Sequence, residues 1–185
     1  MSRFQFKPQD TILLVIDIQE RLHQAMEEAS KTAYIKNSGI LIKTAQAFNI
    51  PIVVSEQYPR GLGPTIPEIR TLLGETRVHE KMAFSCWAEA PIRAAIEACA
   101  RSTVVVIGIE AHVCVLQTVM DLIASGYNAV VATDAVCSRT ATDRVTALAA
   151  MAAAGAVAYS TESIAFMLLE RAGTPEFKQV SPLFK

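Results

Sequence analysis

The chain has 185 residues, half of them hydrophobic, and a formal charge of −1, which is enough length and apolar content for one sizeable core in a single domain, residues 1–185. Without a basic excess there is no stripe to bind phosphates, so nucleic acid is not an expected partner. No apolar run approaches the ~20 residues that span a bilayer, so no membrane segment is expected either.

The opening MSRFQFKPQD lacks the apolar centre of a signal peptide, and a cytoplasmic protein is expected. Thr11 to Ile16 is a continuous apolar run that reads as a strand buried on both faces, with Asp17 directly at its end. A carboxylate there is either a helix cap or a catalytic group. A polar stretch with Gln19, Arg21 and His23 follows, His23 reading as a solvated residue. Asn37 to Phe48 has helical spacing and closes at Asn49, and Pro51 to Ser55 is the next buried strand. Strand, helix and strand in that order predict a right-handed crossover.

Glu56 to Pro67 is the longest irregular stretch, rich in Gly and Pro, and its Gln57, Tyr58 and Arg60 are candidate pocket residues or parts of a rigid surface loop. Its Gly61 and Gly63 are not completed to GxGxxG, so no dinucleotide site is indicated. Arg77 to Glu80 reads as a short strand delivering Lys81, and Ala90 to Ala100 as a helix with Pro91 in its first turn.

Thr103 to Ile107 is a β-branched apolar run ending at Gly108, and from about Val113 the apolar positions recur at helical spacing. Cys114 is thereby expected in the first turn of a helix, where unpaired N–H groups and the macrodipole favour a thiolate. Taken alone, Cys114 reads equally well as a small buried hydrophobe. Cys86, Cys99 and Cys137 complete the cysteines; no CxxC pair exists, which argues against a zinc ribbon or a thioredoxin-type motif. Asn128 to Thr133 is a fifth strand ending at Asp134, which is expected to cap the next element. Thr142 to Ala154 is a helix, Ala156 to Tyr159 a sixth strand and Ser163 to Arg171 a last helix, with Phe177 and Phe184 of the tail expected to dock on the body or on a neighbouring subunit.

Strands alternating with helices predict an α/β, three-layer doubly wound fold with a six-stranded parallel sheet. Asp17, Lys81 and Cys114 all fall at carboxyl ends of strands, which share one edge in a parallel sheet.

The combination of VIDIQE at Asp17, HEKMAFS at Lys81 and GIEAHVCV at Cys114 resembles the isochorismatase-like cysteine hydrolases over nearly the whole chain. SEQYPRGLGPTIPE, TDAVCSR and TPEFK further resemble the small isochorismatase domain-containing branch. The resemblance implies a Rossmann-like sheet and a catalytic triad at Asp17, Lys81 and Cys114. It also implies a cis peptide at Ile109–Glu110 and an oxyanion hole from the backbone N–H groups of Glu110 and Cys114. The implied activity is hydrolysis of a small amide or related C–N carbonyl compound through a Cys114 thioester, by a homo-oligomer, with Gln19, Gln57, Tyr58, Phe84 and His112 shaping the substrate pocket. His112 reads equally as a capping or packing residue. Nicotinamidases of this superfamily bind a metal through an Asp and two His after the second strand; residues 51 to 80 here hold no Asp and only His79, so no metal and no cofactor are expected. The alternatives are a catalytically weak scaffold or binding protein of the same fold, or an isochorismatase-type vinyl ether hydrolase.

Overall fold

A computed structural model describes residues 4–185. Its centre is β1 (Thr11–Ile16), buried at all six positions. The strands β2 (Ile52–Gln57), β3 (Val78–Lys81), β4 (Thr103–Ile109), β5 (Asn128–Cys137) and β6 (Val157–Tyr159) join it in one parallel sheet, in the order β3-β2-β1-β4-β5-β6. The order reverses between β1 and β4, which places their carboxyl ends side by side at the point where open α/β sheets part to admit ligands.

Side chains alternate across β1 and β4 and build two cores. Leu13, Val15, Val105 and Ile107 face one layer, where α2 (Glu28–Ala47) and α8 (Thr161–Leu169) bring Leu41, Ile42, Ile164 and Leu168. Ile12, Leu14, Val104 and Val106 face the other, under Ile92 and Ile96 of α5 (Ala90–Ala98), Val119 and Leu122 of α6 (Leu116–Ala124), and Ala147 and Met151 of α7 (Ala141–Ala154). Burial on both faces is why these strands read as unbroken apolar runs.

Several boundaries differ from the sequence reading. The helix expected over 37–48 begins nine residues earlier, at Glu28, because its first turns are polar and carry little periodicity. Asn49 follows it in the left-handed region, with φ of 52°. Within the stretch expected to be irregular, α3 (Pro59–Leu62) is a single turn, and α4 (Pro67–Leu73) buries Ile69 and Leu73, with Pro67 in its first turn. β5 does not end at Asp134: a register shift against β4 lets it continue to Cys137. Asp134 does cap a helix, but α8 rather than the next one, its Oδ1 accepting from the backbone N–H and hydroxyl of Thr161. His23 lies on α1 (Glu20–Ala25), its ring hydrogen-bonded to the buried Tyr34 hydroxyl rather than simply solvated. The tail docks on its own body: α9 (Pro175–Val180) and the turn after it set Phe177 and Phe184 against Phe166 of α8.

One contact fixes the approach of β1 to β4. Gly108 pairs with Ile16 at φ of 116°, and a Cβ there would fall on the Ile16 backbone carbonyl, next to Asp17. Gly108→Ala is expected to cost roughly 2–4 kcal/mol, a drop of about 5–15 °C in melting temperature. Gly126→Ala is the control, since φ is also positive but nothing lies within 4 Å of the added carbon; it should cost only about 1 kcal/mol.

Candidate active site

Asp17 follows β1 with φ of 50°, a left-handed turn that Asp tolerates better than most residues. The turn leaves its carboxylate fully buried over the strand ends. From β2, Ser55 donates its hydroxyl to Asp17 Oδ1 at 2.7 Å, and in turn accepts from the Cys86 thiol at 3.4 Å. Burial pushes the Asp17 carboxyl above its ordinary 3.8, against the pull of the Lys81 charge and of hydrogen bonds from Lys81, Ser55 and Cys114.

Lys81 arrives from β3, the far side of β2. Two strand spacings separate β3 from β1, about 10 Å, so only a long side chain can reach. Lys81 Nζ stands 2.8 Å from Asp17 Oδ2, with both side chains at zero exposure. Gln57 Oε1, the Phe84 carbonyl and the Ala83 carbonyl also accept from it, at 2.6, 2.9 and 3.2 Å. Burial pulls Lys81 down, but the Asp17 carboxylate together with the neighbouring Cys86 and Cys114 sulfurs outweighs it, and the ammonium is held above its ordinary value.

Cys114 comes from the opposite side, after β4. The Ile109–Glu110 peptide bond is cis. A wide π turn, Ala111–Val115, precedes α6 and carries the thiol, which is 5% exposed and within hydrogen-bonding range of Asp17 and Lys81. The expectation that a helix start favours the thiolate is corrected here. Burial and the neighbouring Asp17 charge push the thiol up to about 12, more than Lys81 offsets. At neutral pH the group is a thiol with a carboxylate beside it.

Three residues far apart in sequence, expected to be close in space, are therefore together. The residues expected at the substrate divide. Gln19 is fully buried and its amide is engaged with backbone: it donates to the carbonyls of Gln57 and Gly63 at 3.0 and 2.7 Å and accepts from the Gln57 N–H at 2.7 Å, fastening the loop after β2. Gln57 is occupied by Lys81 and by the Met82 carbonyl, to which Nε2 donates at 2.9 Å. Tyr58 and Phe84 are about half exposed, at 48% and 54%, and His112 is half-buried with Nδ1 2.9 Å from the Ser138 hydroxyl. Beside them, the Glu110 side chain pairs with Arg139 at 2.7 Å. A recess of about 290 Å³ between Tyr58, Arg60 and Met82 reaches Lys81, but Asp17 and Cys114 are not in its walls. Among the described residues, no three His, Cys, Asp or Glu side chains are grouped as a metal would need.

Ser55 and Cys86 escaped the sequence reading, since each looks like ordinary core. The register of β2 against β1, Ser55 opposite Ile16, is the signal that would have found Ser55.

With this geometry in place, the isochorismatase domain model matches residues 11–163. A secreted isochorismatase effector, Isc1, of Phytophthora sojae (strain P6497) is 37% identical over 96% of this chain and 86% of its own. Isochorismatase domain-containing protein 1 of Salmo salar is 34% identical over 96% of this chain, which spans 62% of that longer protein. Among solved structures, the MAR1 ribonuclease of Caenorhabditis elegans superposes with a TM-score of 0.90 at 37% identity, over 97% of this chain and 91% of the other. The chain belongs to the isochorismatase family.

The buried ion pair makes a stability prediction. Lys81→Met leaves the Asp17 carboxylate buried without its cation, at a cost of about 3–5 kcal/mol at neutral pH. In that variant burial holds the folded carboxyl above its unfolded value near 3.8, so stability should fall as pH rises beyond it. Adding Asp17→Asn should recover most of the loss in urea denaturation; simple additivity of the two substitutions would show the pair to be uncoupled.

Proposed function

We propose that this member of the isochorismatase family is a cysteine hydrolase of a small amide or related C–N carbonyl compound. Cys114 is the nucleophile, Asp17 the proton carrier and Lys81 a fixed cation. One observation carries the reading: a carboxylate, an ammonium and a thiol from three separate strand ends meet in one buried corner.

Because the thiol is held near 12, it needs a base at the moment of attack, and Asp17, itself raised by burial, is a stronger base than a solvated carboxylate. Asp17 takes the thiol proton as sulfur bonds to the carbonyl carbon, and the carbonyl electron pair moves onto oxygen. Backbone N–H groups of Glu110 and Cys114 are the donors proposed for that oxyanion. When the pair returns, the C–N bond breaks and Asp17 protonates the departing nitrogen, leaving a thioester. Water then attacks, giving its proton to Asp17; the C–S bond breaks, and the sulfur recovers that proton. The sum is amide plus water to acid plus amine, with Lys81 charged throughout.

No step in the scheme uses a metal. A homo-oligomer fits the same reading, because Tyr58, Met82 and Phe84 leave apolar surface exposed beside Lys81, where a second copy would wall the entrance.

A screen of small amides, nitrogen heterocycles and carbamoyl compounds should yield a substrate on which Cys114→Ala loses at least about a thousandfold in kcat/KM. Acid-quenched enzyme should carry an acyl adduct on the Cys114 peptide by mass spectrometry. Activity should fall with pH along an acid limb set above the ordinary carboxylate value of 3.8, since the base must be ionised. RNA belongs in the same screen, given the C. elegans relative, and this reading expects no Cys114-dependent cleavage of it. Full turnover by Cys114→Ala on a substrate of the wild type would refute the thioester route.

A further inference from the structure

Three side chains hold the charge of Asp17: Lys81, with Nζ 2.8 Å from Oδ2, the Ser55 hydroxyl, 2.7 Å from Oδ1, and the Cys114 thiol. Two of them already have parts in the chemistry proposed above. Lys81 is the fixed cation, and the donation from Cys114 ends when its proton moves. Ser55 is the third donor, and no step of the scheme uses it. It grips Asp17 twice, because its backbone carbonyl also accepts from the Asp17 N–H at 3.2 Å.

We propose that Ser55 is a positioning residue for the base: its hydroxyl, backed by the Cys86 thiol, fixes the Asp17 carboxylate beside Cys114 and keeps it ionised. The inference rests on Asp17 acting as the base, as above. Ser55 has one hydroxyl proton and two polar neighbours, Asp17 Oδ1 at 2.7 Å and Cys86 Sγ at 3.4 Å. Burial pushes Cys86 up to about 12, so at neutral pH it is a thiol, a poor acceptor beside a carboxylate. The Ser55 proton therefore goes to Asp17, and Cys86 donates to the oxygen behind it. Cys86 is fixed in turn by Thr118, whose hydroxyl accepts from its backbone N–H at 2.9 Å. Thr118 lies on α6 one turn beyond Cys114, so the helix that follows the sulfur also anchors the far end of the chain of donors.

The titratable groups facing Asp17 are Lys81 from the end of β3, Cys114 from the π turn and, behind Ser55, Cys86. Lys81 is held charged and both sulfurs rest as thiols, so Asp17 is the member of the cluster that titrates in the acid range. A hydrogen bond from a hydroxyl favours the carboxylate over the carboxylic acid. Removing it should raise the pH at which the base becomes ionised. A Ser55 that served packing alone would leave that pH unchanged.

The test needs no substrate. The rate of Cys114 alkylation by iodoacetamide, located by fragmentation of its peptide from the full chain, is followed against pH. In wild type it should rise as the Asp17–Cys114 pair loses its first proton, level off, and rise again toward about 12. Ser55→Ala should move the first midpoint up by about one pH unit. Its plateau should rise about tenfold for each unit of that shift, because the carboxylate, once formed, is the stronger base, while rates well below the midpoint coincide with wild type. Ser55→Cys, of nearly the same size but a weaker donor, should fall between the two. Loosened packing would scale the rate at every pH and leave the midpoint in place. An unmoved or lowered midpoint in Ser55→Ala overturns the proposal; should that variant not fold, the same outcome in Ser55→Cys does so. Asp17→Asn separates the two ideas: persistence of the first rise there would remove Asp17 as the base, whereas its loss beside unmoved Ser55 variants would sink only the role of Ser55.

Discussion

The site depends on one buried ion pair, Asp17 with Lys81, bridging from the central strand to the sheet edge. Neither charge would be tolerable alone at zero exposure, because each would be stripped of water with nothing in return. The surroundings are therefore all acceptors for the cation and donors for the anion: Gln57 and two loop carbonyls on one side, Ser55 on the other. The loop that carries those carbonyls is itself set by Glu89, whose carboxylate accepts from the N–H groups of Met82 and Ala83 at 2.7 Å each. A half-buried residue thus helps define the field around a fully enclosed ammonium.

The thiol changes meaning once that pair is seen. Viewed from the sequence, the start of a helix is an electropositive place that should ionise a cysteine. In the fold, Cys114 lies in a wider π turn and is nearly sealed, with an anion beside it. Burial acts on the whole thiolate charge, whereas a helix end contributes a fraction of one charge. The larger effect wins, and the sulfur rests protonated. A raised thiol next to a raised carboxylate can exchange a proton with less free-energy difference than either would have with water.

How much of this could be read from residues follows from which interactions are local. Buried parallel strands announce themselves as unbroken β-branched runs, so β1 and β4 were legible, and a polar residue closing such a run is conspicuous. That is why Asp17, Lys81 and Cys114 stood out. The family resemblance added what spacing could not, the cis bond seen at Ile109–Glu110 and the oxyanion donors proposed above. The first turns of α2 and all of α4 were not legible, because the former are polar and the latter lies within a Gly- and Pro-rich stretch that reads as loop. The contacts of Gln19 and Gln57 were hidden for a different reason. A polar side chain near a strand end looks the same in sequence whether it faces a ligand or a backbone, and only the neighbouring strand decides between them.

Cys86 shows why acidity alone would not have singled out the proposed nucleophile. Burial pushes it, too, up to about 12, with the same Asp17 charge adding to the effect and the same Lys81 opposing it. Its thiol donates to Ser55, and its backbone N–H donates to the Thr118 hydroxyl, so both of its polar hydrogens are committed within the core. Cys86 is completely enclosed, and the Ser55 hydroxyl stands between it and Asp17 Oδ1. Cys114 retains a small opening and direct access to the carboxylate. Two sulfurs with equal reluctance to ionise are thus divided by geometry: one holds the hydroxyl bonded to Asp17, and the other lies directly beside that carboxyl.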